Sequence, residues 1–100
     1  MTYSVVNTER ENHGSVDVAY VTIDITSLEN AGNEPFDPGA VTGLDDAAEY
    51  GVAVRGAEDP TVQVAWDHVN EQLDVINVSD ATDVTSTTDV GEVILKVEGK

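Results

Sequence analysis

The chain has 100 residues, of which 20 are acidic, four are Lys or Arg and 40% are apolar, and it contains no cysteine. This length and apolar content predict one folded domain rather than a disordered tail, and the absence of cysteine excludes disulfides, thiol chemistry and cysteine-ligated zinc. No apolar run approaches the roughly 20 residues of a membrane-spanning helix, and the first 20 residues lack the basic and apolar blocks of a signal peptide.

The charge is strongly one-sided. A formal net charge of −16 repels phosphates and anionic lipids, so neither nucleic acid nor a membrane is predicted as a partner. The acids are spread along the chain, which predicts an acidic surface rather than an acidic tail. We interpret this surface as adaptation to molar salt, where the Debye length is about 3 Å and self-repulsion is screened. An acidic protein from an ordinary cytoplasm is the alternative, and a calcium protein is less favoured because no segment has EF-hand spacing.

Apolar residues recur with the period of two that indicates strands, and the 17 valines favour the same structure. Residues 1–14 are predicted to be an N-terminal arm or a short first strand. Residues 15–26 (SVDVAYVTIDIT) are predicted to form a strand. Its apolar parity changes along the way, which predicts a bulge near Ala19 and Tyr20 and a solvent-facing Asp24.

Residues 29–39 (ENAGNEPFDPG) are predicted to be a long ordered loop, because Pro35 and Pro38 fix φ and prevent strand pairing. Further strands are expected at residues 49–55, 61–66, 72–78 and 92–98. Between these elements we expect a helical turn at 45–48, a turn at 56–60, a hairpin connection at 67–71 and a polar loop at 79–91. The pattern predicts an all-β fold: a small single-domain antiparallel β-sandwich or barrel of five to six strands, with its domain over residues 15–100.

Candidate catalytic and metal-binding groups are weak. Asp67 and His68 are adjacent, so on a strand they would point to opposite faces, and a hairpin turn explains them better than a catalytic pair. His13 lies in a turn signal, and no third metal ligand is patterned near either histidine. Acidic clusters arise by chance in so acidic a chain, and those considered are Asp45, Asp46 and Glu49, and Asp80, Asp83 and Asp89. The sequence therefore predicts no enzyme, no cofactor and no metal site.

Two of the five aromatic residues carry structural information. Trp66 shares its strand parity with Val62 and Val64, which predicts that it faces the core. Phe36 lies in the Gly/Pro-rich loop, where it either fills its own domain or docks into a neighbour. The residues alone leave both possibilities open.

Three segments, in this order, resemble small β-rich virion structural proteins of tailed phages, of the head decoration type with a T-G-G-E-P-L loop. The segments are VTIDIT at 21–26 with AGNEPF at 31–36, VQVAWD at 62–67 with NEQLDV at 70–75, and TTDV at 87–90 with a closing strand that ends at Gly99. Asn33 and Phe36 replace the second Gly and the Leu of that loop. Glu71 replaces a turn glycine, which weakens the prediction of a tight two-residue hairpin.

The resemblance implies a non-enzymatic virion component, and together with the acidic composition it indicates a tailed virus that infects salt-loving archaea. We expect a capsid decoration protein, made in the host cytoplasm, that binds the major capsid protein at the capsid surface and clamps the shell in high salt. We also expect a homo-oligomer, with a trimer favoured. The alternatives are a tail, neck or turret component of the same virion, or a carbohydrate- or cation-binding β-module of a halophile. The expected contact residues are Asn33, Glu34, Pro35, Phe36, Pro38 and Tyr3.

Overall fold

The computed structural model of the chain describes residues 2–45 and 51–99, apart from the side chain of His13. The described residues form seven strands and one short helix. In chain order these are β1 (Tyr3–His13), β2 (Val16–Ile25), β3 (Asn33–Pro35), α1 (Pro38–Thr42), β4 (Val52–Ala57), β5 (Val62–Asp67), β6 (Gln72–Asn77) and β7 (Gly91–Gly99). The strand count exceeds the expected five to six because the predicted loop contains β3. The first strand, β1, is also long rather than short, with 11 residues.

The strands form two antiparallel sheets. One has the order β1-β2-β7-β4 and the other the order β3-β6-β5. Every hydrogen-bonded neighbour pair in both sheets is antiparallel. Two separate sheets that share one core confirm the predicted all-β fold and make it a sandwich.

In the part of the chain that the structure describes, no helix has the length and apolar character needed to cross a bilayer.

The core lies between the two sheets and is organised by strands β2 and β7. These strands pair in an unbroken register from Asp17 opposite Gly99 to Ile25 opposite Gly91. Strand alternation directs every second side chain inward. The inward side chains of this pair with 0% exposure are Ala19, Val21, Ile23, Ile25, Val93, Leu95 and Val97. The facing sheet contributes Val62, Val64, Leu73 and Val75, and Trp66 packs against this cluster as predicted.

The bulge predicted near Ala19 and Tyr20 is absent from the structure, because the β2–β7 register continues through both residues. The parity of the sequence changes there because Val18 and Ala19 are both buried, on opposite faces of one regular strand. The register shifts instead in β1 beside Val6 and in β4 beside Arg55.

The predicted loop at 29–39 contains regular structure. Pro35 lies in β3 and pairs with Gln72 of β6, so the expectation that both prolines prevent strand pairing is wrong for Pro35. β3 is an edge strand, where a missing N–H need not leave a neighbour without a partner. Pro38 lies in the first turn of α1, a position that suits proline, and the Asp37 carboxylate caps this helix by accepting from Ala40 N at 3.2 Å.

Two other predicted boundaries differ from the structure. The short helix is α1, which ends at Thr42 before the expected turn at 45–48, and residues 46–48 of that turn lie outside the described part of the chain. The strand predicted from residue 49 includes Glu49 and Tyr50, which are also outside it. The described strand, β4, continues through Gly56 and Ala57, where a turn was expected.

Replacing Leu95 by Ala should lower the free energy of unfolding by about 2–5 kcal/mol, because Leu95 has 0% exposure at the centre of β7. The matched control is Ile94→Ala on the opposite face of the same strand, where the side chain is 46% exposed. The control should change stability by less than about 1 kcal/mol. Chemical denaturation of both variants measures the difference, and equal losses would contradict the assignment of the two faces.

Candidate interaction surface

The predicted contact loop is largely part of the core. Phe36 is only 3% exposed and Glu34 only 1%, and Pro38 is buried. The Phe36 ring lies 5.6 Å from the Tyr3 ring and 6.2 Å from Trp66, in an edge-to-face arrangement with Trp66. Aromatic rings in such geometry stabilise one another. Phe36 therefore fills its own domain and, at 3% exposure, presents little surface to an external partner.

Glu34 is a buried carboxylate that joins three parts of the chain. It accepts hydrogen bonds from the Thr2 hydroxyl and from the backbone N–H of Glu29, the latter at 3.0 Å. Burial raises the pKa of Glu34 above its ordinary value of 4.5, although both hydrogen bonds act in the opposite direction. Since Thr2 precedes β1 and Glu34 lies in β3, this carboxylate links the beginning of one sheet to the edge of the other.

The other predicted contact residues are only partly accessible. Tyr3 is half-buried beside Phe36, and burial together with the Glu34 and Asp37 charges raises the pKa of its hydroxyl. Asn33 is half-buried and its side-chain oxygen accepts from Asn30 at 3.0 Å. Pro35 is exposed at the β3 edge. Of the six predicted residues, Pro35 alone is exposed.

Asp67 is the last residue of β5 and His68 begins the hairpin connection to β6, one residue later than the predicted connection at 67–71. The Asp67 carboxylate accepts hydrogen bonds from the Asn70 side chain at 2.8 Å and from Val69 N at 3.0 Å. The bond from Asn70 is the largest cause of the lowered pKa of Asp67. Glu71 has a φ of 51°, so a non-glycine residue adopts the left-handed conformation where the resembling motif has glycine. The pair has a turn-forming role, in agreement with its sequence-based interpretation.

The three acids of the 79–91 loop lie in separate surroundings and do not form one cluster. Asp80 Oδ1 accepts from the Thr82 hydroxyl at 2.6 Å, which lowers the pKa of Asp80. Asp83 lies beside Gly32, and Asp89 Oδ1 accepts from Gly91 N at 3.1 Å. Of the predicted cluster Asp45, Asp46 and Glu49, only Asp45 lies within the described residues. The side chain of His13 also lies outside them.

A second group of acids lines an open cleft of about 580 Å³ at one end of the sandwich. Its acidic residues are Asp24, Glu58, Asp59, Asp89 and Glu92. Glu58 Oε1 accepts from Glu92 N at 2.9 Å, and the Asp59 carboxylate accepts from the Thr61 hydroxyl at 2.6 Å. Within residues 2–45 and 51–99, no three His, Cys, Asp or Glu side chains are arranged to hold a metal ion.

The most accessible regular element is β1. Every residue from Ser4 to Asn12 is exposed, including Val5 at 43% and Val6 at 53%. β1 is the outer strand of the four-stranded sheet and pairs on one side only, with β2. We call its unpaired side the β1 edge. A long exposed edge of this kind offers backbone hydrogen-bonding groups to another chain, which makes it the candidate interaction surface of the molecule.

Sequence reasoning missed the length of β1 because the segment YSVVNTERENH has no apolar face. Alternation identifies a strand only when one side is buried, and here both sides are exposed. The available signal was Gly14, which has a φ of 80° in the turn between β1 and β2. Glycine at that position suits a two-residue hairpin turn, so a strand before it was foreseeable.

No family model matches the chain, and no curated protein or solved structure matches it. The resemblance to virion proteins therefore depends on the short motifs quoted above.

The Glu34→Gln variant should be more stable than the unmodified protein at neutral pH. Because its pKa is raised, the Glu34 carboxyl binds a proton more tightly in the folded state than in the unfolded chain. The contribution of this proton to folding stability is fully present below pH 4.5 and is lost as the pH rises through the folded-state pKa. A glutamine has no charge to bury, while its carbonyl can accept from Glu29 and its amide can donate to Thr2. The stability gain should consequently grow from pH 4 towards pH 7.

The control for Glu34→Gln is Glu9→Gln, which removes the same charge from an exposed position on β1. Denaturation curves at several pH values compare the two. A Glu34→Gln gain that is constant with pH, or matched by Glu9→Gln, would show that overall charge rather than burial is responsible.

Proposed function

We propose that this protein is a non-enzymatic virion structural protein, a capsid decoration protein that binds the major capsid protein shell in high salt. It would act by holding neighbouring shell subunits together at the capsid surface, as a homo-oligomer with a trimer favoured. The short motifs shared with head decoration-type proteins suggest the virion. The observation that carries the binding role is the exposure of β1 along one entire edge of the sandwich.

The location of the expected contact changes with the structure. The 29–39 loop serves the core through Phe36 and Glu34, so it is not the proposed shell contact. The N-terminal segment offers a second surface for the contact, and it forms β1 rather than a loose arm. Hydrogen bonds with β2 hold this strand in place from Tyr3 to His13, so a partner would meet a surface that is already ordered. Preorganisation of this kind reduces the entropic cost of binding.

The distribution of charge supports a role in high salt. The basic side chains of Arg10 and Lys96 already lie 3.0 Å from Asp17 and 3.1 Å from Glu98. Many acids are exposed on the surface, among them Glu9, Glu29, Asp37, Asp45, Glu58, Glu71, Asp80, Asp83, Asp89 and Glu92. Their mutual repulsion acts against the compact state at low ionic strength and is screened at high ionic strength.

The melting temperature should rise with KCl concentration, and we expect loss of the fold or of shell binding below about 0.5 M. The physical reason is that the Debye length falls from about 10 Å at 0.1 M to about 3 Å at 1 M. Thermal melts across a KCl series measure the effect. Sucrose at matched osmolality is the control for solute exclusion. A melting temperature indifferent to KCl would contradict the proposed adaptation.

The shell-binding role predicts that the protein co-sediments with shells assembled from the capsid protein encoded beside its own gene. In molar KCl the binding should saturate at a fixed ratio of protein to capsid subunit, since a decoration protein occupies repeated sites. Shells of an unrelated capsid protein are the control. Failure to sediment with the matched shells, at a salt concentration where the protein is folded, would refute the decoration role.

A further inference from the structure

The four sheet edges of the sandwich differ in their openness to another strand. The edge strand β3 has three residues and includes Pro35, and β4 has six residues with a register shift beside Arg55. β5 is also short, with six residues. β1 has 11 residues, and its register is regular from Asn7 to His13. Proline, irregularity and short length limit pairing at sheet edges, so β1 is the edge best able to accept a further strand.

The geometry of the hairpin determines which backbone groups point outward. His13 and Val16 flank the two-residue turn between β1 and β2. Residues that flank such a turn exchange both hydrogen bonds, and every second residue along the strand then does the same. The alternate residues Thr8, Arg10 and Asn12 therefore direct their N–H and C=O groups to the β1 edge. Within the described chain, no backbone group of another element bonds to these three residues.

A second copy of this chain fits the β1 edge poorly. If the Asn7–His13 stretches of two copies pair antiparallel over their full length, the pairing is centred on Arg10. Arg10 of one copy then lies opposite Arg10 of the other. The same register sets Glu9 of each copy opposite Glu11 of the other. Like charges directly opposite each other destabilise a strand pair. A strand with basic residues at alternate positions would instead place a cation directly opposite Glu9, a separation short enough for attraction to persist in molar salt.

We propose that the β1 edge binds an extended segment of a partner protein as a fifth strand of the β1-β2-β7-β4 sheet. Backbone hydrogen bonds to Thr8, Arg10 and Asn12 would supply the pairing, and Lys or Arg at alternate positions of the segment would face Glu9. This mode of binding is strand addition, in which the main chain supplies affinity and the side chains supply selectivity. The inference rests on the proposed function for the source of the segment, which is the shell protein.

The test uses the full chain and two substitutions at one position. Thr8→Pro removes an outward N–H that β2 does not use, and Thr8→Val keeps this N–H and the strand preference. Both variants should retain the circular dichroism spectrum of the unmodified protein. Thr8→Pro should lose binding to the matched shells by tenfold or more, whereas Thr8→Val should bind normally. Shell binding that survives Thr8→Pro would overturn strand addition while leaving the decoration role intact.

A peptide probe tests the edge without any shell. The probe is an 11-residue peptide of alternating Thr and Lys, compared with the same peptide carrying Glu in place of Lys. In molar KCl, amide hydrogen exchange should slow at Thr8, Arg10 and Asn12 when the Thr/Lys peptide is added. The Thr/Glu peptide should bind several-fold more weakly. Uniform protection along β1, or none, would overturn the proposal, because only an added strand protects alternate residues.

Charge reversal provides a second variant if Thr8→Pro disturbs the fold. Glu9→Lys should reverse the preference between the two peptides, and Glu9→Gln should abolish it. An unchanged preference would exclude the proposed charge complementarity. Alternate protection by the Thr/Lys peptide without any binding to the matched shells would support strand addition and refute the shell as the source of the strand.

Discussion

The antiparallel pairing of β2 with β7 joins the second strand of the chain to the last, and every other part of the larger sheet is placed relative to it. Nine consecutive positions are paired, and the inward side chains of both strands have no exposed surface. β1 can add only to the free side of β2, and β4 only to the free side of β7. Burial of this central pair therefore determines which strands are edges and which faces meet water.

The acidic side chains have two different roles. Asp59, Asp67 and Asp80 accept hydrogen bonds from nearby Thr or Asn residues, which lower their pKa values and fix turns. Such turns need Asp or Asn at any salt concentration. Glu9 and Glu29, by contrast, are exposed on the surface and contribute charge. Only this second group requires an explanation from the environment, so composition alone overstates how much of the acidity is an adaptation to salt.

The parts of the fold that were predictable from sequence have one buried face. Val93 alternates with exposed neighbours and correctly identified β7, and Val62 did the same for β5. β1 lacked this signal because both its faces are exposed. Phe36 was ambiguous, since its loop position does not reveal that both the Tyr3 and the Trp66 rings pack against it. Contacts between residues far apart in sequence decided the Phe36 case, and no local pattern records them.

The exposure of β1 needs a physical reason beyond the stability of the isolated domain. A two-stranded ribbon without a covered face is marginally stable in water, and this strand buries little apolar surface of its own. Its polar side chains keep the edge hydrated, while the regular register from Asn7 preserves the hydrogen-bonding pattern that a further strand requires. Native proteins protect sheet edges by shortening, covering or charging them, and β1 is long and uncovered but carries charged side chains. The regular exposed edge is therefore the feature of the fold on which the proposed strand addition depends.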